Sequence, residues 1–211
     1  MSYSARDDRP ADKTARYAEV HQEIVAVLEG ESDRVARMAT VSAMLADAFP
    51  QFFWTGFYVV DPAKPGELVV GPYQGTLGCL RIPFGRGVCG AVAAAGKTRI
   101  VDDVEAFPGH IACDSRSRSE VVVPVFDAAG TLIAVLDVDA TEVAAFDAVD
   151  AASSPVCVTL PPGTMPRPGR PSSDWWRESS ATSAAPARSA WRCPARCRRP
   201  RDGCATPIRP G

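Results

Sequence analysis

No stretch of this chain constrains its fold as strongly as residues 120–139, EVVVPVFDAAGTLIAVLDVD. Two runs rich in valine, leucine and isoleucine flank the short link DAAG. Branched side chains of this kind suit a pleated strand. A four-residue, Gly-containing link returns the chain alongside itself as an antiparallel hairpin. Along the second run side chains alternate between faces. Leu132, Ala134, Leu136 and Val138 share one face; Ile133, Val135, Asp137 and Asp139 share the other. Glu120 opens the partner run, and cross-strand pairing brings it close to both aspartates. Two readings follow. The acids are solvated strand ends, or they converge in a pocket. In a pocket their repulsion raises at least one pKa. That leaves a proton donor beside carboxylates able to hold an ammonium group.

The remaining elements build around this hairpin. Residues 12–29 carry apolar positions at helical spacing, with Gly30 at the end. Ser32 is the expected cap of a second helix with Val35, Met38, Ala39, Val41, Ser42 and Leu45 on one face, stopped by Pro50. The period then changes. FFWTGFYVVD reads as a strand that places Trp54 and Tyr58 on one face, and 67–70 (ELVV) pairs with it. Residues 71–87 form a Gly-rich loop carrying Cys79, and GVCGAVAAAG a short helix with Cys89 in its first turn. Residues 98–101 are a short strand and 102–118 a long loop around Cys113. The expected fold is α+β, with about six mainly antiparallel strands and flanking helices. A 150-residue domain of this kind buries roughly 68–70% of its unfolded surface.

Charge divides the chain. Residues 1–150 hold 13 Lys and Arg against 22 Asp and Glu, a net −9; residues 151–211 hold 10 Arg, no Lys and three acids, a net +7. The second part also contains 11 of the 19 prolines and four of the seven cysteines, with no strand or helix period. It reads as a disordered basic Pro/Arg-rich tail, either an ordinary tail or the product of a shifted reading frame near residue 150. Residues 1–11 also read as disordered, which leaves 12–150 as the folded domain. No run approaches the ~20 apolar residues of a membrane span, and the N-terminus lacks the apolar core of a signal peptide. The expected compartment is the cytoplasm, with neither membrane nor nucleic acid as partner.

Three cysteines fall in the folded part, and none lies on an apolar stripe. They are small core residues or reactive thiols. Cys89 sits at a helix N-terminus, which favours a thiolate, with Arg81 and Arg86 adding to the effect. Zinc ligation by Cys79, Cys89, His110 and Cys113 is a weaker alternative, because the spacing lacks a paired C-x2-C knuckle. Cys193, Cys197 and Cys204 in the tail show no second ligand pair either.

The segments WTGFY (54–58), GPYQG…C…RIPFGRGVCG (71–90), DDV…FPGHIACDSRSRSE (102–120) and LDVD (136–139) together closely resemble the free methionine-(R)-sulfoxide reductases, single-domain enzymes of the GAF fold. The resemblance runs from about residue 17 to 150. It implies reduction of free L-methionine-(R)-sulfoxide by thiol chemistry, with no metal or organic cofactor. Cys113 would be the nucleophile, its sulfenic acid resolved by Cys79, with Cys89 a further or alternative partner. Glu120, Asp137 and Asp139 would bind the substrate, and Trp54 and Tyr58 would wall its methyl-sulfoxide end. Reduced thioredoxin or a similar dithiol would supply electrons, and a homodimer is allowed. Backbone N–H groups at the GRGVCG helix start are placed to take the substrate carboxylate. His110 either tunes Cys113 or bonds to the backbone, and Arg116 and Arg118 either favour the thiolate or are solvated. Arg116 stands where the family usually has a small residue. A C-terminal helix expected from near Thr141 is cut short near 150, which predicts marginal stability. The rival readings are a GAF sensor module that binds a ligand or reads oxidants without turnover, and an inactive truncated homologue.

Overall fold

The hairpin forms as expected and lies inside a six-stranded sheet. The computed structural model describes residues 8–153. In chain order its elements are α1 (Lys13–Val27), α2 (Arg34–Ala48), β1 (Trp54–Val60), β2 (Glu67–Gln74), β3 (Arg81–Pro83), α3 (Gly87–Ala95), β4 (Arg99–Val101), β5 (Ser119–Phe126), β6 (Leu132–Ala140) and α4 (Ala148–Ser153). The strands are ordered β3-β2-β1-β6-β5-β4, and every neighbouring pair is antiparallel. This is the α+β, GAF-like architecture expected from the sequence.

Capping explains where the first helices begin. The Asp12 carboxylate accepts the Ala15 N–H at 2.8 Å and starts α1, whose Tyr17, Val20 and Ile24 are buried at helical spacing. The cap of α2 is Asp33, not Ser32. Its carboxylate accepts the Ala36 N–H at 2.8 Å, while Glu31 takes the Asp33 N–H and fixes the preceding turn. Strand β3 was not expected. It is three residues inside the Gly-rich loop, paired through Leu68 and Ile82.

The sheet has two differently used faces. On one, α1, α2 and α4 cover an apolar cluster that includes Tyr17, Met38, Leu45, Phe49, Phe57 and Leu136. On the other, α3 and the long loops pack over Trp54, Tyr58, Leu68, Cys89, Val122 and Val135. The register skips a residue between Val125 and Phe126, which pair with Ala134 and Leu132. Ile133 is the extra residue of this bulge. It joins the helix-covered cluster, not the aspartate face that strict alternation assigned to it.

The C-terminal helix begins at Ala148, later than expected. Before it, Ala144 adopts φ +53° and its N–H bonds to the Asp102 carbonyl at 2.8 Å, while Ala145 bonds to the Ser119 hydroxyl. These links hold the segment as turns. The Asp147 carboxylate then accepts the Val149 N–H at 2.7 Å, and the Asp150 carboxylate reaches back to the Asp147 N–H at 2.8 Å, a reciprocal cap. Asp150 is buried and also accepts the Tyr17 hydroxyl at 2.9 Å and the Lys13 ammonium at 2.7 Å, which joins α4 to α1.

The N-terminal boundary lies a little earlier than residue 12. The Arg9 side chain is buried and pairs with Glu23 at 3.0 Å and with Glu19 and Asp47 at 3.6 Å, so Arg9 lies against the helices. Residues 1–7 and nearly all of the expected tail, 154–211, lie outside the described residues. Among the described residues no helix is long and apolar enough to cross a membrane.

Candidate active site

Strand register assembles the site on the α3 face. Trp54 pairs with Asp139, which pairs with Glu120 on the next strand; Gly56 pairs with Asp137, which pairs with Val122. Residues two apart on one strand share a face, so the three acids and the two aromatic residues are brought together. Trp54 and Tyr58 stack at 5.5 Å between ring centroids, and Tyr73 stacks on Trp54 at 5.1 Å. Gly56 makes this possible, because a Cβ there would overlap Tyr73 and stand 2.8 Å from the Trp54 ring. Trp54, Tyr58 and the three acids line one pocket together with Cys89, Cys113 and His110.

Burial dominates the electrostatics. Glu120 and Asp137 are each 5% exposed, which rules out solvated strand ends. Loss of water pushes the Glu120 carboxyl up to about 8, with the Asp139 charge adding to the effect. Asp137 is pushed well above the usual range by burial and then by Asp139 and Glu120. Asp139 rises to about 6 through burial, opposed by a hydrogen bond from the Ser117 hydroxyl. The three therefore titrate as a coupled group that holds at least one proton at neutral pH. Asp137 Oδ1 is buried without a hydrogen-bond partner among the described residues.

The cysteines separate into two kinds. Cys79 and Cys113 form a disulfide, with Cα atoms 5.1 Å apart and a sequence separation of 34. Both lie on loops, and Cys113 is exposed at the pocket. Cys89 is a buried free thiol. The expectation of a thiolate there is corrected: burial pushes the thiol up, as do the Asp137 and Glu120 charges, and Cys89 donates a hydrogen bond to Asp137. Burial and the acid cluster together outweigh the helix terminus. Arg81 does not help, because it is committed to Asp61 at 2.6 Å and Glu67 at 2.9 Å. The four-ligand zinc arrangement is also corrected, since Cys79 and Cys113 are bonded to each other. The group able to offer metal ligands is instead Cys89, Glu120 and Asp137, with donor atoms within 4.8 Å of one another.

The loop residues take defined places. Burial holds the His110 imidazole below its ordinary value, which keeps it neutral at pH 7. Arg116 pairs with Asp114 at 2.8 Å and lies over the Phe53 ring at 4.6 Å, so it is spent on loop packing. Arg118 lies 3.9 Å from Asp103. Sequence reasoning passed over Ser117, which bonds Asp139, and Thr76, whose hydroxyl bonds Asp114 at 2.8 Å and whose carbonyl accepts the Trp54 indole N–H at 3.0 Å. The only signal was their place in polar loops beside the cysteines. Gly78 is equally constrained, since a Cβ there would stand 2.8 Å from the Tyr58 hydroxyl.

Comparison with known proteins gives consistent answers. A GAF domain family model matches residues 38–153. GAF domain-containing protein A of Dictyostelium discoideum is 47% identical over 138 residues, covering 65% of this chain and 85% of that protein. Free methionine-R-sulfoxide reductase of Escherichia coli is 41% identical over 130 residues, covering 62% of this chain and 76% of the relative. The X-ray structure of free methionine-R-sulfoxide reductase from Neisseria meningitidis in complex with its substrate is 48% identical and matches with a TM-score of 0.68, over 73% of this chain and 91% of that one. By its matched domain, its identity to these relatives and its thiol-and-carboxylate pocket, the chain belongs to the free methionine-R-sulfoxide reductases, oxidoreductases built on a GAF domain.

Proposed function

We propose that this chain reduces free L-methionine-(R)-sulfoxide to L-methionine, with Cys113 as the nucleophile. One observation carries the reading: an exposed, disulfide-forming cysteine and three carboxylates, two of them buried, line the same pocket. A thiolate aimed at the sulfoxide sulfur needs an acid to protonate the departing oxygen. The coupled carboxylates hold such a proton, since burial raises all three. Those left ionised take the substrate ammonium, and Asp137 Oδ1, which has no hydrogen-bond partner among the described residues, can accept from it even when the other oxygen of that carboxyl is protonated. Trp54 and Tyr58 offer an apolar wall to the methyl-sulfoxide end. The Val88 and Cys89 N–H groups in the first turn of α3 suit the substrate carboxylate; the Gly87 N–H bonds the Gly109 carbonyl and the Gly90 N–H the Arg86 carbonyl.

The reaction balances without a metal or organic cofactor. Cys113–SH takes the sulfoxide oxygen to become Cys113–SOH and releases methionine. Cys79–SH then attacks Cys113–SOH, forming the disulfide and releasing water. Reduced thioredoxin or a similar dithiol reopens the disulfide by exchange. Cys89, protonated and buried, serves the acid cluster more readily than the electron path. The test is to incubate the reduced protein with L-methionine-(R)-sulfoxide. One methionine per protein is expected without a reductant, and continuous turnover with reduced thioredoxin. Less than one equivalent would reject the enzyme reading in favour of a binding or sensing module.

A further inference from the structure

We propose that Thr76 and Asp114 form a clasp that keeps the two redox cysteines within bonding reach while their disulfide is open. The proposal rests on the thiol chemistry above and concerns a step that chemistry leaves exposed. Once Cys113 is a sulfenic acid, Cys79 must reach it before a second oxidant converts it to sulfinic acid. Both cysteines lie on irregular loops, and loops of this kind move on nanosecond to microsecond timescales. With the disulfide open, no covalent link holds one loop to the other.

The structure supplies a noncovalent link beside the sulfurs. The Thr76 hydroxyl donates to Asp114 Oδ2 at 2.8 Å, from three residues before Cys79 to one residue after Cys113. Each half of the clasp is anchored to the same point on the sheet. On the Cys79 side, the Thr76 carbonyl accepts the Trp54 indole N–H at 3.0 Å. On the Cys113 side, Asp114 accepts the Arg116 N–H at 3.0 Å and its guanidinium at 3.0 and 2.8 Å, and that guanidinium lies over the ring of Phe53. Phe53, whose N–H bonds the Asp139 carbonyl at 2.7 Å, immediately precedes Trp54, the first residue of β1, so both loops are referred to one origin. Arg116 also holds the Asp114 carboxyl well below the usual carboxylate range, which keeps it charged and strengthens the bond from Thr76.

Thr76 does not line the pocket, which makes it the residue to change. Thr76→Val keeps the shape and removes the donor; Thr76→Ser restores it. The reduced full chain is mixed with hydrogen peroxide, which converts Cys113–SH to Cys113–SOH and water, and separately with L-methionine-(R)-sulfoxide. The Cys79–Cys113 linked peptide and Cys113 sulfinic acid are then quantified by mass spectrometry over time. In both arms Thr76→Val is expected to form the linked peptide about tenfold more slowly, the worth of one hydrogen bond to an ionised group. In the peroxide arm it should also accumulate more sulfinic acid, as excess peroxide oxidises Cys113–SOH to Cys113–SO2H and water, while the rate of methionine release in the sulfoxide arm stays at the wild-type value and Thr76→Ser stays close to wild type throughout. Asp114→Asn, scored only on linked-peptide formation, should be slowed as well and guards against a folding failure in the first variant. Linked peptide forming at the wild-type rate in Thr76→Val, with no extra sulfinic acid, overturns the clasp. Absence of methionine from the wild-type protein would overturn the enzymatic reading instead, and the peroxide arm would still decide the clasp.

Discussion

The two faces of the sheet are made from the same strands and have opposite thermodynamic characters. On β6, Ala134, Leu136 and Val138 enter the helix-covered cluster, while Asp137 and Asp139 enter the pocket, one residue apart along the chain. The first face buries apolar surface, worth about 25 cal/mol per Å2 removed from water. The second buries Glu120, Asp137 and the Cys89 thiol, and leaves one Asp137 oxygen without a hydrogen-bond partner among the described residues; each opposes folding unless protonated or paired. The lesson is that the helix-covered face supplies the stability that lets the pocket face stay poorly satisfied until substrate arrives.

Four substitutions test that division, in descending order of effect. Cys113→Ser should abolish methionine sulfoxide reduction, a loss of at least ~10^4-fold for a nucleophile. Its melting temperature under reducing conditions should match wild type; a large fall would show that the pocket face also carries stability. Leu136→Ala, on the other face, should lower the unfolding free energy by about 2–5 kcal/mol in urea titrations, with turnover per folded molecule little changed. Glu120→Gln should do the reverse. Turnover should fall about 100-fold, while stability at pH 8 rises by about 1 kcal/mol. Tyr17→Phe removes one hydrogen bond to Asp150 and should lower stability by about 1–2 kcal/mol without altering the Michaelis constant.

A pH series sharpens the same contrast. The folded-state carboxyls of Glu120 and Asp139 lie above their ordinary values, at about 8 and about 6. Between roughly pH 4.5 and 8 the folded protein therefore holds protons that the unfolded chain has released, and stability must fall as pH rises through that window. Wild-type melting temperature should decline accordingly, with a shallower slope in Glu120→Gln. Methionine binding should move the other way. It should tighten as pH rises from 6 to 8, because ionised carboxylates accept its ammonium; affinity independent of pH by calorimetry would dissociate the acids from substrate binding.

Much of this site was legible in the sequence because strand alternation is a strong rule. The shared face of Asp137 and Asp139, the nearness of Glu120, and the pairing of Trp54 with Tyr58 all follow from it. The rule failed at Ile133, where a bulge inserts a residue that no local signal marks. The helix carrying Cys89 was legible, yet its ionisation was not. The helix terminus is a local feature, whereas Asp137 lies far along the chain and reaches Cys89 only through packing. Strand β3 is too short to show a period, and α4 starts late because Asp102 and Ser119, both distant in sequence, hold the preceding turns. The Cys79–Cys113 pairing was implied by family resemblance, not by spacing. Thr76 and Ser117 looked like ordinary loop residues, since their partners are set by tertiary structure alone.

The buried Asp150 has a consequence for how the molecule is made. It takes hydrogen bonds from Tyr17 and Lys13, partners 133 and 137 residues earlier. During translation the first helix emerges long before the residue that secures it. Its apolar side therefore waits, uncovered by the last helix, until the ribosome has extruded the segment around residue 150, and any chaperone that shields this domain has that interval in which to act.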